Sequence, residues 1–276
     1  MGNLSISREK VKWGIPLPFD KKNVTYVWVE ALANYITAIG YESNPDQFKK
    51  LWPADIQLLA KDILKFHAIY WPAFLLAVDL ELPKRIFIHG FFTSEGKKMS
   101  KTLGNVVNPI EVAEKYGVDT LRYFILREIS FGQDGDFSIK RLEERYNADL
   151  ANGLGNLVAR LAKLCQLSEQ SFNSHCLKPD KILTGEFGKL IDDYQIISAL
   201  NFIWEKIRLI DQNLNRTRPW QIKDKRKMAA SLTGLVDQLL LVAVLLSPFL
   251  PQSAKIITQT FSQKKINPPE ALFIRK

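Results

Sequence analysis

The apolar positions of this chain change rhythm part-way along it. Through about residue 137, short apolar runs alternate with stretches in which apolar residues return every three or four positions. Asn23 to Val29 (NVTYVWV), rich in β-branched and aromatic residues, predicts a strand, and Glu30 to Ile39 predicts a helix. Ile56 to Ala60 (IQLLA) predicts a second strand leading into a helix over Ile63 to Val78, which Pro72 bends. Arg85 to His89 (RIFIH) predicts a third strand, followed by a polar loop from Thr93 to Asn105. The next helix is punctuated at both ends. Asn108 suits its N-cap, Pro109 its first position, Glu111 a capping box, and Gly117 its stop. Alternation of this kind predicts a parallel sheet with crossover helices.

Beyond Ser138 the strand pattern stops. Ser138 suits an N-cap, with Phe137 and Leu142 spaced as a hydrophobic staple. Leu142, Tyr146, Leu150, Leu154, Leu157, Leu161 and Leu164 recur at helical spacing. A second series runs from Ile196 through Leu200, Ile203, Trp204, Ile207 and Ile210 to Leu214. A third runs from Leu232 to Leu246 and ends at Pro248. Three amphipathic helices make a bundle. The pattern predicts an α/β region, residues 1–140, followed by an all-α region, residues 141–276, with no internal repeat.

Composition narrows the class. At 276 residues with 46% apolar and 24% charged positions, the chain is globular and long enough for two domains. Cys165 and Cys176 form neither a zinc knuckle nor a disulfide framework, and no metal site is expected. The apolar run from Gln238 to Ala254 is broken by Pro248 and Pro251, and no apolar core follows the early Arg8, Lys10 and Lys12. These features predict a soluble protein of a reducing compartment, away from membranes. Residues 1–145 hold 20 basic and 18 acidic side chains, whereas residues 146–276 hold 18 and 11, a net +7. A basic excess confined to one half points to a polyanionic partner, or on charge alone to a solvated basic surface.

One segment carries phosphate chemistry. Gly96 to Asn105 (GKKMSKTLGN) sets three lysines and two hydroxyls on a loop flanked by glycines, directly after a predicted strand. Mobile ammonium groups suit a phosphate chain whose charge moves in a transition state, and the glycines let the loop close. A bare lysine cluster is more often a solvated loop. The full order Lys98, Met99, Ser100, Lys101 with Gly104-Asn105 resembles the KMSKS signature of class I aminoacyl-tRNA synthetases, with Thr102 as its last residue. Asn3 to Arg8, Trp13-Gly14-Ile15-Pro16, Tyr26 to Glu30, Lys61 to His67 and His89-Gly90-Phe91 resemble the methionyl-tRNA synthetase family in the same order.

That resemblance implies the C-terminal part of a Rossmann-type catalytic domain joined to a helical anticodon-binding domain. It implies activation of L-methionine with ATP and Mg²⁺ and transfer to the tRNA for methionine, in the cytoplasm. By resemblance, Trp28, Tyr35 and His67 line the methionine side-chain pocket, and Asp62, Lys98, Met99 and Lys101 bind ATP. Lys98, Ser100 and Lys101 then form the catalytic loop. An aromatic wall suits a polarizable thioether. Ala60 stands where the family has glycine, which predicts crowding of the nucleotide or a strained turn. Asn156 and Arg160, one helical turn apart, and Trp220 resemble the elements that read the anticodon, with Lys223, Lys225, Arg226 and Lys227 as phosphate contacts.

The family's other signature, His-x-Gly-His, does not occur. The three histidines are His67, His89 and His175, and Ile88-His89-Gly90 mimics only part of it. The expectation is therefore a partial form lacking the N-terminal half, with an open sheet edge near Asn23 and no zinc, inactive alone unless another chain completes it. Two alternatives stay open: a non-catalytic tRNA-binding fragment, and a class I synthetase for another amino acid.

Overall fold

The computed structural model describes residues 4–130, 132–173 and 185–276, so Asn3, His175 and Cys176 lie outside the described residues. Mixed α/β and helical segments divide into two compact units, Met1–Phe91 and Phe92–Lys276.

In the first unit, β1 (Ser7–Arg8), β2 (Pro16–Leu17) and β3 (Asp20–Thr25) form an antiparallel sheet in the order β1-β3-β2. The strand predicted through Val29 stops at Thr25, and α1 (Val27–Thr37) takes over. Tertiary packing overrides β propensity here. Trp28, Leu32 and Ile36 recur every four positions and share a cluster with Trp52, Trp71 and Leu75. After α2 (Pro45–Leu51), β4 (Gln57–Ala60) pairs in parallel with β5 (Ile86–His89), in register from Gln57↔Ile86 to Ala60↔His89. The crossover runs through a tight turn at Lys61–Ile63, a π-helical stretch at Phe66–Tyr70 and α3 (Trp71–Ala77). Pro72 has no N–H for the carbonyl of Ala68, and the turn before it widens instead of kinking a long helix. The parallel pair is a two-stranded sheet among the described residues, whereas the strand at Asn23 belongs to the separate antiparallel sheet. Asn23 thus lies on the central strand of that antiparallel sheet and not at an edge of the parallel pair.

In the second unit, the polar loop begins as a hairpin: β6 (Phe92–Ser94) and β7 (Lys97–Lys98) pair across Glu95-Gly96. Both turn residues have positive φ, 51° and 74°, the conformation that a two-residue hairpin demands. α4 (Pro109–Tyr116) starts as the sequence predicts. Asn108 Oδ1 accepts from the Ile110 N–H at 3.0 Å, and its amide nitrogen donates to Glu111 Oε1 at 2.8 Å. Gly117, at φ 93°, turns the chain into α5 (Val118–Glu128). β8 (Gly135–Phe137) then lies parallel to β6.

From Ile139 to Ser168 the chain is helical throughout. α6 (Ile139–Arg145) passes into a π-helical stretch, Tyr146–Gly155, and then into α7 (Asn156–Ser168). Ser138 stands at the N-cap but makes no cap hydrogen bond, while Phe137 and Leu142 do share one cluster. α8 (Glu186–Asp192), α9 (Ile196–Thr217), α10 (Lys225–Leu246) and α11 (Pro251–Phe261) follow. The bundle thus has more members than the three helices that periodicity predicts. Pro251 marks the first turn of α11, not an end. α10 is long and apolar enough to cross a membrane, yet Leu232, Leu235, Val236, Leu239 and Leu246 are buried in the helical core.

The compact division at 91/92 differs from the change of element type near residue 140. α5 accounts for this. The buried Asp119 carboxylate accepts from the Ser253 N–H and hydroxyl, both at 2.7 Å, at the start of α11. Arg122 donates to the carbonyls of Phe249 (3.1 Å) and Pro248 (2.7 Å) beyond the end of α10. One face of α5 satisfies both exposed helix ends at that corner.

Candidate functional site

α1 and the crossover after β4 bring three predicted residues together in the first unit. The Trp28 indole stacks on Phe66, with centroids 3.8 Å apart and planes 9° from parallel, and meets His67 edge-on at 6.0 Å. His67 is buried, only 2% exposed, whereas Tyr35 beside it is 39% exposed. Tyr35 Oη lies 2.9 Å from His67 Nε2, and His67 Nδ1 lies 3.0 Å from the Ile63 carbonyl. The carbonyl only accepts, so Nδ1 carries a proton, and when the ring is neutral Nε2 accepts from the Tyr35 hydroxyl. Burial raises the Tyr35 phenol above its ordinary pKa, which keeps that donor protonated. The arrangement offers an aromatic wall with one fixed imidazole, chemistry matched to an apolar, polarizable side chain.

Asp62 sits in the turn directly after β4, exposed, at the carboxyl end of a parallel strand. Open α/β sheets bind ligands at such ends. Ala60 has φ −79° and ψ 156°, ordinary extended backbone. The strained turn expected from the missing glycine is therefore absent, since nothing at this position requires a left-handed conformation.

In the second unit the lysine loop is held from both sides. Asp136 Oδ1 accepts from the Gly96 N–H and from the Thr93 hydroxyl, each at 2.7 Å, which fixes the hairpin tip. Asn105 spans the loop: its oxygen accepts from the Ser100 N–H at 2.9 Å, and its nitrogen donates to the Lys98 carbonyl at 3.1 Å. The Ser100 hydroxyl accepts from the Thr102 N–H at 3.2 Å, and Gly104 takes φ 64°. Met99 packs against the cluster of Val112, Tyr116, Phe124, Phe137 and Leu142, so its side chain anchors the loop. Lys98 and Lys101 are exposed.

The helical face in the same unit carries the other set. Asn156 opens α7 and is exposed. Arg160, one turn on, is two-thirds covered and bonds to Asp211 and Asn215 of α9. Trp220 lies in a tight turn, Pro219–Gln221, entered through Arg218 at φ 45°. It is 48% exposed and not a core tryptophan. Asp224 caps α10 by accepting from the Arg226 and Lys227 N–H groups, at 2.8 and 3.1 Å. The Lys225 ammonium, though exposed, bonds the Leu167 carbonyl and lies 3.3 Å from Glu169.

Sequence reasoning missed Phe66 beneath Trp28, Asp136 at the hairpin tip, and the Asp211–Asn215 pair that holds Arg160. Each is separated from its partner by about 40 residues or more, and no local pattern announces such contacts.

Comparison with known proteins identifies the family. Residues 1–162 match the family described as tRNA synthetases class I (M). A methionine–tRNA ligase of Caldanaerobacter subterraneus subsp. tengcongensis is 42% identical over 268 residues, covering 92% of this chain and 42% of that protein. One from Brucella suis is 42% identical over 266 residues, covering 92% of this chain and 52% of that protein. Mycobacterium tuberculosis methionyl-tRNA synthetase, solved in complex with methionyl-adenylate, has a TM-score of 0.84 at 35% identity, covering 100% of this chain and 61% of that one. The chain spans about half the length of the curated relatives it matches. With its family model matched over more than half its residues, the chain belongs to the methionine branch of the class I tRNA synthetases.

Proposed function

We propose that this chain supplies the methionine pocket, the triphosphate loop and the anticodon-reading face of a methionine–tRNA ligase working in the cytoplasm. The observation that carries the reading is the cluster of Trp28, Tyr35 and His67, built from separate elements around one fixed imidazole. In this reading residues 1–140 belong to the catalytic domain and residues 141–276 to the anticodon-binding domain. The substrates are L-methionine, ATP with Mg²⁺, and the tRNA for methionine.

The reaction joins the methionine carboxylate to the α-phosphorus of ATP and expels pyrophosphate. Trp28 and His67 hold the thioether, and the Asp62 carboxylate takes a ribose hydroxyl or an amino group. Lys98 and Lys101 stabilise charge on the departing phosphates, a contribution made mainly in the transition state. Ser100 shapes the loop between them, with Met99 as its anchor. Asn156 and Trp220 meet unstacked anticodon bases, and Arg160 reads a base edge.

The His-x-Gly-His string is not among these 276 residues. Activation by them alone is accordingly slow, because half of a phosphate clamp is worth several kcal/mol of transition-state stabilisation. Methionine-dependent ATP–pyrophosphate exchange tests this, run with the chain alone and with a separately made polypeptide carrying that string. The reading predicts exchange in the mixture, driven by methionine and not by leucine or valine. No exchange in the mixture, or exchange driven by another amino acid, overturns it.

A further inference from the structure

Arg160 is locked into a ring of three side chains. Its Nη1 donates to Asp211 Oδ1 at 2.7 Å and its Nη2 to Asn215 Oδ1 at 2.8 Å, while Asn215 Nδ2 donates to Asp211 Oδ2 at 3.0 Å. Both carboxylate oxygens and both ends of the Asn215 amide are used. Asp211 and Asn215 stand one turn apart on α9, so they present two acceptors at the spacing of a guanidinium fork. Two of the five guanidinium N–H donors are engaged, which leaves three for a ligand.

We propose that Asp211 and Asn215 are positioning residues that fix the Arg160 guanidinium for a base edge and cancel its charge. This rests on the reading that the helical half binds tRNA by its anticodon. Two consequences follow from the ring itself. An arginine already immobilised loses little rotamer entropy when RNA arrives, so its geometry discriminates sharply between bases. A charge already paired with a carboxylate displaces few counterions from a phosphate, so Arg160 contributes to sequence preference and little to salt-dependent affinity. Asp211 is itself partly exposed, and its carboxylate disfavours a phosphate in the place meant for a base.

The test uses the full 276-residue chain and short RNA hairpins, one bearing the methionine anticodon and others changed at one anticodon base. Binding is measured over a range of salt concentrations, with circular dichroism to confirm that each variant is folded. Asp211→Leu is expected to reduce the preference for the methionine hairpin about tenfold, close to the loss in Arg160→Leu. The double variant should be no worse than Arg160→Leu alone. Asp211→Asn, which leaves the arginine charge uncompensated, should lower the preference and steepen the salt dependence by about one phosphate contact. A purely structural role for Asp211 does not move that slope. If folded Asp211→Leu keeps the wild-type preference while Arg160→Leu loses it, positioning is overturned and anticodon reading stands. If the wild-type chain shows no preference at all, the anticodon reading falls and the positioning role falls with it.

Discussion

Tyr35 Oη and His67 Nε2 lie 2.9 Å apart, and this hydrogen bond together with the one from Nδ1 to Ile63 fixes the orientation of the imidazole. A ring held at both nitrogens presents one edge to whatever occupies the aromatic cluster. Replacing Tyr35 by Phe removes the donor and keeps the ring. Methionine affinity should then fall by about 1 kcal/mol, the usual net worth of such a bond. Titration in the exchange-competent mixture checks this, and unchanged affinity would show that the bond has no part in recognition. Because burial raises the Tyr35 phenol, the hydrogen bond persists above the ordinary phenol range and is lost only at still higher pH.

Asn105 closes the lysine loop through Ser100 and Lys98. Asn105→Ala should open it without unfolding the unit, because Met99 still packs against its cluster. Losing two hydrogen bonds at about 1 kcal/mol each should raise tryptic cleavage after Lys98 and Lys101 about thirtyfold. Cleavage at the wild-type rate would mean that the loop is held by something other than Asn105.

The exposed Trp220 ring should matter to RNA and hardly at all to stability. Trp220→Ala is expected to cost about 1–3 kcal/mol of hairpin binding by loss of stacking on one base. The melting temperature should stay within a few degrees of wild type, since little buried area is lost. A large fall in melting temperature with unchanged RNA affinity would reverse the assignment.

Much of this was legible locally. The capping of α4 by Asn108, the parallel pair β4 and β5, and the seven apolar positions from Leu142 to Leu164 follow from short-range patterns. The lysine loop was readable because its residues are contiguous. Other features depend on distant partners. Val27 to Val29 look like strand until Trp28 finds Phe66, and Ser138 looks like a cap although its hydroxyl does not serve as one. α5 has no strong punctuation of its own, yet Asp119 and Arg122 reach residues more than 120 positions away. Periodicity cannot encode a contact of that range.

Cys165 is a pH probe of the helical core. Burial pushes its thiol from the ordinary 9.0 up to about 12, so the folded chain keeps a proton that the unfolded chain loses. The linked stability is fully present below pH 9 and declines as pH rises from 9 towards 12. Alkylation at pH 8, mapped by mass spectrometry, should leave Cys165 unmodified in the native chain and label it in urea. Rapid native labelling would show that the helical core around α7 opens readily.

The central claim divides the labour: Trp28, Tyr35 and His67 recognise methionine, while Lys98 and Lys101 drive its activation. The most direct measurement is the rate of adenylate formation and the methionine affinity of Lys98→Ala and Lys101→Ala, made in the complemented mixture. The account predicts a rate lowered on the order of 100-fold or more with methionine affinity nearly unchanged, the signature of groups that act on the transition state. Equal losses of rate and methionine affinity would contradict it and make the loop a structural part of the amino-acid pocket.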